Sequence, residues 1–169
     1  MTLYLILACI TVGSDDTAGD TPTTWEGTEQ FLYGYGQSGT DLACDMRWTT
    51  TGIAATNHYC PTCEFVFDVE LVYDEENSTQ DGSCDEFAGD TTAVYGYVET
   101  TDLSYHYPGY DVRIGTIGTI EDNTFIELGT ADWDRLTGTF TYAWGTMGYG
   151  YDYGYDYYTD YRSGSATLR

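Results

Sequence analysis

Residues 42–73 alternate twice. Leu42, Cys44, Met46 and Trp48 take every second position against Ala43, Asp45 and Arg47. After a loop that ends His58-Tyr59-Cys60-Pro61-Thr62-Cys63, Phe65, Phe67, Val69 and Leu71 do the same against Glu64, Asp68 and Glu70. Successive side chains of a strand point to opposite faces, so a period of two marks a half-buried strand. Two such runs around a Gly-containing loop predict a long antiparallel hairpin, which no helical packing can accommodate.

The rest of the chain follows suit. Strands are expected over residues 25–36, 92–99, 111–117, 124–128, 135–144 and 157–168, with 101–107 either continuing the fourth or forming the next. In 25–36, Phe31, Tyr33 and Tyr35 share one face. In 135–144, Leu136, Phe140, Tyr142 and Trp144 are in phase. Gly39-Thr40-Asp41, Pro108-Gly109 and Glu121-Asp122-Asn123 supply turns. Twenty Gly and eighteen Tyr against three Pro favour strands and turns over helices. Eight or nine strands in sequence, joined mostly by short turns, must manage their edges, and closure does so. The expected fold is therefore all-β: an antiparallel meander closed into an up-and-down barrel of eight to nine strands, with a two-sheet sandwich as the alternative.

At 169 residues the chain is expected to hold one folded domain, 25–169, behind two short N-terminal segments. Residues 10–24 are small, polar and acidic without an aromatic until Trp25, and read as a flexible tether. Charge is extreme: 28 Asp and Glu against 5 Arg, with no Lys, for a net −23. Such a surface repels nucleic acid, whose phosphates need Lys and Arg. The absence of Lys removes Schiff-base and P-loop chemistry. No H-E-x-x-H, G-x-S-x-G or G-x-G-x-x-G pattern occurs, and the two histidines, His58 and His106, stand apart. No catalytic residue is assigned. The acidic segment 74–90 attracts cations, yet it lacks the glycine of an EF-hand. A looser Ca²⁺ site there is the only cofactor the sequence suggests, set against a plain solvated loop.

Five cysteines remain to be placed. Cys60-Pro61-Thr62-Cys63 has the spacing of a redox motif, but a strand rather than a helix follows it. A Zn²⁺ site would recruit Cys44 and Cys84. Structural disulfides are preferred, since exported chains meet an oxidising compartment. The hairpin puts Cys60 and Cys63 at one end and Cys44 at the other, beside the loop that carries Cys84. Disulfide reach of about 7 Å then selects Cys44 with Cys84 and Cys60 with Cys63.

Residues 148–158 are low-complexity, with Tyr149, Tyr151, Tyr153, Tyr155 and Tyr157 on the odd positions. They are read as an extended hairpin tip. A row of phenols is either a binding surface for a protein or glycan, since Tyr gives large amphipathic contact at low entropy cost, or a plain spacer.

The chain opens Met-Thr-Leu-Tyr-Leu-Ile-Leu-Ala-Cys. Ile6-Leu7-Ala8-Cys9 resembles the lipobox of bacterial lipoproteins, in which the cysteine is lipidated and becomes the mature N-terminus. The runs C-x-M-x-W-x-x-T-G from Cys44 and C-x-x-C-x-F-x-F-x-V from Cys60 are similar to those of uncharacterised bacterial surface lipoproteins. The resemblance implies that residues 1–9 are a signal remnant whose true start lies upstream, that Cys9 is the lipidation site, and that the domain sits at the cell envelope, on the outer membrane or cell surface. The functional expectation is a non-enzymatic envelope lipoprotein with a binding or structural role. The alternative is a small secreted hydrolase or small-ligand carrier that uses the barrel mouth. A deep polar pocket would favour the second, and a barrel filled with side chains the first.

Overall fold

The computed structural model describes residues 21–36, 43–56, 60–107, 110–150 and 157–169, with backbone alone at 35–36, 101–107, 110, 147–150 and 157–158. Among them run eight strands: β1 (Thr24–Gly36), β2 (Cys44–Ala54), β3 (Phe65–Tyr73), β4 (Thr91–Tyr107), β5 (Tyr110–Glu121), β6 (Thr124–Asp134), β7 (Thr139–Gly150) and β8 (Tyr157–Leu168). Each pairs with the next, and β8 returns antiparallel to β1 from Trp25↔Leu168 to Gly36↔Tyr157. The fold is a closed eight-stranded up-and-down barrel and not a sandwich. Both described chain ends lie at one end of it, here the lower, where Arg169 O accepts from the Thr23 and Thr24 N–H groups.

Inward positions carry the apolar residues. An eight-stranded barrel has an interior just wide enough to be filled by its own side chains. Trp25 occupies it in the lower half, with the rings of Phe67, Tyr95, Phe140 and Tyr142 at 5.4–5.8 Å. Phe65, Tyr97 and Phe140 pack beneath. Outward positions of β7, β8, β1 and β2 hold exposed Thr139, Thr141, Ser165, Glu26, Thr28, Arg47, Thr49 and Thr51. That is a water-facing wall, the opposite polarity to a lipid-facing barrel band. Among the described residues no helix is long and apolar enough to cross a membrane.

Of the two readings of residues 101–107, the structure takes the continuous one, with a register shift against β5 between Glu99 and Ser104. Three elements, β5, β6 and β7, differ from the sequence expectation: β5 and β6 run to Glu121 and Asp134, well beyond 117 and 128. The turn between them is the pair Asp122 and Asn123, with φ of 48° and 59°. Two consecutive positive φ values make the tight hairpin connection that Asx residues tolerate best. Residues 135–138 are a turn, not the start of β7: Gly138 N–H bonds Asp134 O at 2.8 Å, and Leu136 is 64% exposed.

The acidic segment 74–90 is also no plain solvated loop. β2 pairs with β3 only from Trp48, which leaves the edge of residues 44–47 uncovered. The segment covers it. Arg47 O accepts from Asp74 N–H, Asp45 O from Thr79 N–H, and the Ser78 and Thr79 hydroxyls accept from Arg47 and Asp45 N–H. Two short 3₁₀ turns, Glu75–Asn77 and Gly82–Phe87, shape the segment, capped by Asp74 and Asp81. Phe87 lies 5.1 Å from both Phe31 and Tyr33, and the Trp48 indole N–H bonds Gly89 O at 2.9 Å. The segment thus packs into the upper end of the barrel.

A Cys44–Cys84 disulfide, with both residues 1% exposed, ties it down, and a second joins Cys60 to Cys63. Two disulfides are the mark of an oxidising compartment outside the cytoplasm. By loop length alone, the 40-residue separation of the first is worth about 4 kcal/mol and the 3-residue separation of the second about 2. The double variant C44A/C84A should therefore lose about 4 kcal/mol in guanidinium unfolding, and C60A/C63A about half of that.

Candidate functional site

Along β1, Trp25, Gly27, Glu29, Phe31 and Tyr33 share the inward phase, so one carboxylate is forced into the barrel among rings. Glu29 is 2% exposed. An unpaired buried charge would cost several kcal/mol, so the fold has to answer it. It does so with three donors. Oε2 accepts from Tyr95 Oη at 2.8 Å and from Tyr142 Oη at 2.9 Å, and Oε1 from Arg162 Nη1 at 3.0 Å.

Each donor arrives by a legible route. Tyr142 on β7 and Glu29 on β1 flank Gly164 of β8 in one row. The phenol lies across the glycine, where a Cβ would overlap Tyr142 Cζ and Oη. Gly164 is there because the ring needs its space. Tyr95 reaches in from β4. Arg162, two residues up β8, pairs with Phe31 and Trp144. Its guanidinium stands over Phe31 at 5.0 Å, Trp48 at 5.5 Å and Trp144 at 6.0 Å. Cation–π contact and the Glu29 ion pair together hold this cation inside a ring-lined chamber.

The chemistry of this cluster is restrictive. Burial, reinforced by the Glu29 charge, pushes the Tyr95 and Tyr142 phenols well above their ordinary pKa, so both stay protonated donors. Three of the carboxylate's roughly four acceptor sites are thereby engaged. The arrangement locks four strands together. At the lower end a second cluster braces the base of the β4–β5 hairpin. Arg113 bonds Glu99 at 2.8 Å and Asp111 at 3.0 Å, while Tyr97 Oη donates to Arg113 O.

Two concave sites open on the outer wall. One groove of about 430 Å³ is lined by Gln30, Arg47, Asp74, Asn77 and Ser163 among others. Another, of about 620 Å³, lies over β2–β4 beside exposed Ile53. Among the described residues no group of three or more His, Cys, Asp or Glu is gathered as a metal site. In 74–90, Asp74 and Asp81 cap turns and Asp90 accepts from the Tyr73 N–H.

Of the residues singled out in the sequence, Cys44 and Cys84 come together in the upper core, and Cys60 and Cys63 in the β2–β3 connection at the lower end. Tyr149 and Tyr157 are placed by backbone pairing, Tyr149 with Tyr158 and Tyr157 with Gly150. Cys9, His58, Tyr151, Tyr153 and Tyr155 lie outside the described residues. Sequence reasoning missed Glu29 and Arg162 altogether. The available signal was an acid in phase with Trp25 and Phe31, and a cation in phase with Gly164, Ala166 and Leu168. Compared with protein-family models, curated proteins and solved structures, the chain matches none.

Two outcomes test this site. Glu29→Leu leaves a guanidinium and two phenols unanswered and should cost about 3–5 kcal/mol in chemical unfolding. For pH, the phenols titrate later in the folded state than in the unfolded one. The unfolded chain therefore binds fewer protons above pH of about 10, and stability falls as pH rises from there. Two such groups together remove about 2 kcal/mol of unfolding free energy between about pH 10 and 11, measured as the difference between unfolding curves at those two values. Below that window their contribution is complete.

Proposed function

We propose that this chain is a non-enzymatic, lipid-anchored domain of the bacterial cell envelope that works through its outer surface and its upper-end loops. The observation that supports the reading is the packing of the barrel interior among the described residues. Trp25 occupies the lower half, the Glu29 cluster and its rings the middle, and Phe87 presses on Phe31 and Tyr33 at the upper end. A carrier or hydrolase that uses the barrel mouth needs that space open.

The anchor rests on Ile6-Leu7-Ala8-Cys9 and on the acidic spacer behind it, and the two disulfides support export. Thr23 and Thr24 are bonded to Arg169 O and Pro22 is buried, so the free spacer is residues 10–21, which reach at most about 40 Å when extended and set the stand-off from a membrane. The tether joins the barrel at its lower end, where β1 begins. The acidic segment and the tyrosine-rich β7–β8 connection leave from the upper end. An anchored barrel thereby holds the acidic segment, and the end from which the β7–β8 connection leaves, away from the lipid and toward a protein or glycan partner.

The test is metabolic labelling with an alkyne fatty acid, using the gene with its own upstream sequence in a bacterial host. Wild-type protein should carry label and sediment with membranes, and Cys9→Ser should lose both. Unlabelled, soluble wild-type protein would overturn the anchored reading.

A further inference from the structure

We propose that Cys60–Cys63 is a thiol–disulfide exchange site, opened and closed by a dithiol on the intact barrel, while Cys44–Cys84 stays shut. The two bonds sit in opposite surroundings. Cys44 and Cys84 are sealed in the core beneath the acidic segment. Cys60 and Cys63 are only half-buried and bracket the exposed pair Pro61 and Thr62. An attacking thiolate must reach a sulfur nearly in line with the bond, which the second setting allows and the first does not.

The fold does not need this bond to keep its connection in place. Cys63 N–H bonds Cys60 O at 3.2 Å, Ala55 N–H bonds Val66 O at 2.8 Å, and Glu64 N–H bonds Tyr97 O at 2.9 Å. These backbone bonds survive reduction. The loop closed by the disulfide is also the shortest kind, so opening it releases little chain entropy.

The two sulfurs are not equivalent. Cys63 Sγ rests on the outer wall at Gly96, where a Cβ would stand 3.0 Å from it and 3.1 Å from Ile120. Gly96 is the gap that receives it, and Phe125 closes the same apolar patch. Cys60 Sγ faces the turn instead, 3.7 Å from Thr62 Oγ1. The assignment follows. One thiolate of the dithiol attacks Cys60 Sγ and forms a mixed disulfide, and Cys63 leaves as a thiolate that takes a proton from water. The second thiolate of the dithiol then attacks its own sulfur bound to Cys60. That closes the partner's disulfide and releases Cys60 as a thiolate, which the Thr62 hydroxyl stabilises by donating to it. Two electrons pass from the dithiol to the Cys60–Cys63 bond, and the reverse sequence restores it.

A protein of charge −23 repels anionic thiols. A cationic thiol such as cysteamine should open the bond on the order of tenfold faster than mercaptoethanesulfonate at low salt, and the ratio should shrink with added salt. The main experiment treats the full folded chain with graded dithiothreitol at neutral pH, followed by alkylation and peptide mapping. Cys60 and Cys63 should be labelled while Cys44–Cys84 stays intact and near-UV circular dichroism is unchanged. Opening of both bonds together, or of neither until denaturant is added, would overturn the proposal. Thr62→Val should slow release of reduced protein about fivefold without changing the unfolding midpoint. With cystamine, Cys63→Ser should take up a mixed disulfide at Cys60 and Cys60→Ser none at Cys63. Equal modification of the two variants would refute Cys60 as the attacked sulfur.

Discussion

A carboxylate placed inside a barrel is the constraint to which the rest of this molecule answers. Glu29 cannot be neutralised by neighbours on its own strand, so β4, β7 and β8 each deliver a donor to it. The three partners stand 66, 113 and 133 residues away in sequence. A network of this kind forms only when the sheet has closed in one register. A slip of one residue on β8 would carry Arg162 to the outer face and leave Glu29 short of its ion pair. Apolar packing supplies the bulk of the stabilisation, and the buried charge selects which closed arrangement receives it.

The alternating strands were legible because their rule is local. Cys44, Met46, Trp48, Phe65, Phe67, Val69 and Leu71 are all buried, and period two says so without knowledge of the partner strand. β5 and β6 were underestimated for the converse reason. Gly115, Gly118 and Gly129 interrupt the alternation, since rings and backbone from the adjoining strands fill the space their side chains would take. A glycine under a neighbour's ring looks like a turn in one dimension. Leu136 misled in the other direction: its parity matches Phe140, but the tight turn closed by Gly138, at φ 72°, resets the phase.

The acidic segment shows what composition conceals. Seven acids among serine and glycine, without a heptad or an alternation, read as solvated coil, because the favourable terms are backbone bonds to β2 and two apolar side chains, Cys84 and Phe87. None of these has a periodic signature. The Glu29 site was harder still, as one acid among 28. Only its parity with Trp25 and Phe31 distinguishes it, and only closure of the barrel explains it.

The direction of the strands matters once the two ends are distinguished. β1 begins at the lower end and is hydrogen-bonded along its length to β2 on one side and β8 on the other. A pull between that end and anything gripping the upper loops acts parallel to the strands. Under such a load the β1 ladders are sheared, so their bonds share the force and must yield together; a perpendicular pull would peel them one at a time. The closed sheet is thus built as a mechanical link, strongest along the line from the start of β1 to the upper end of the barrel.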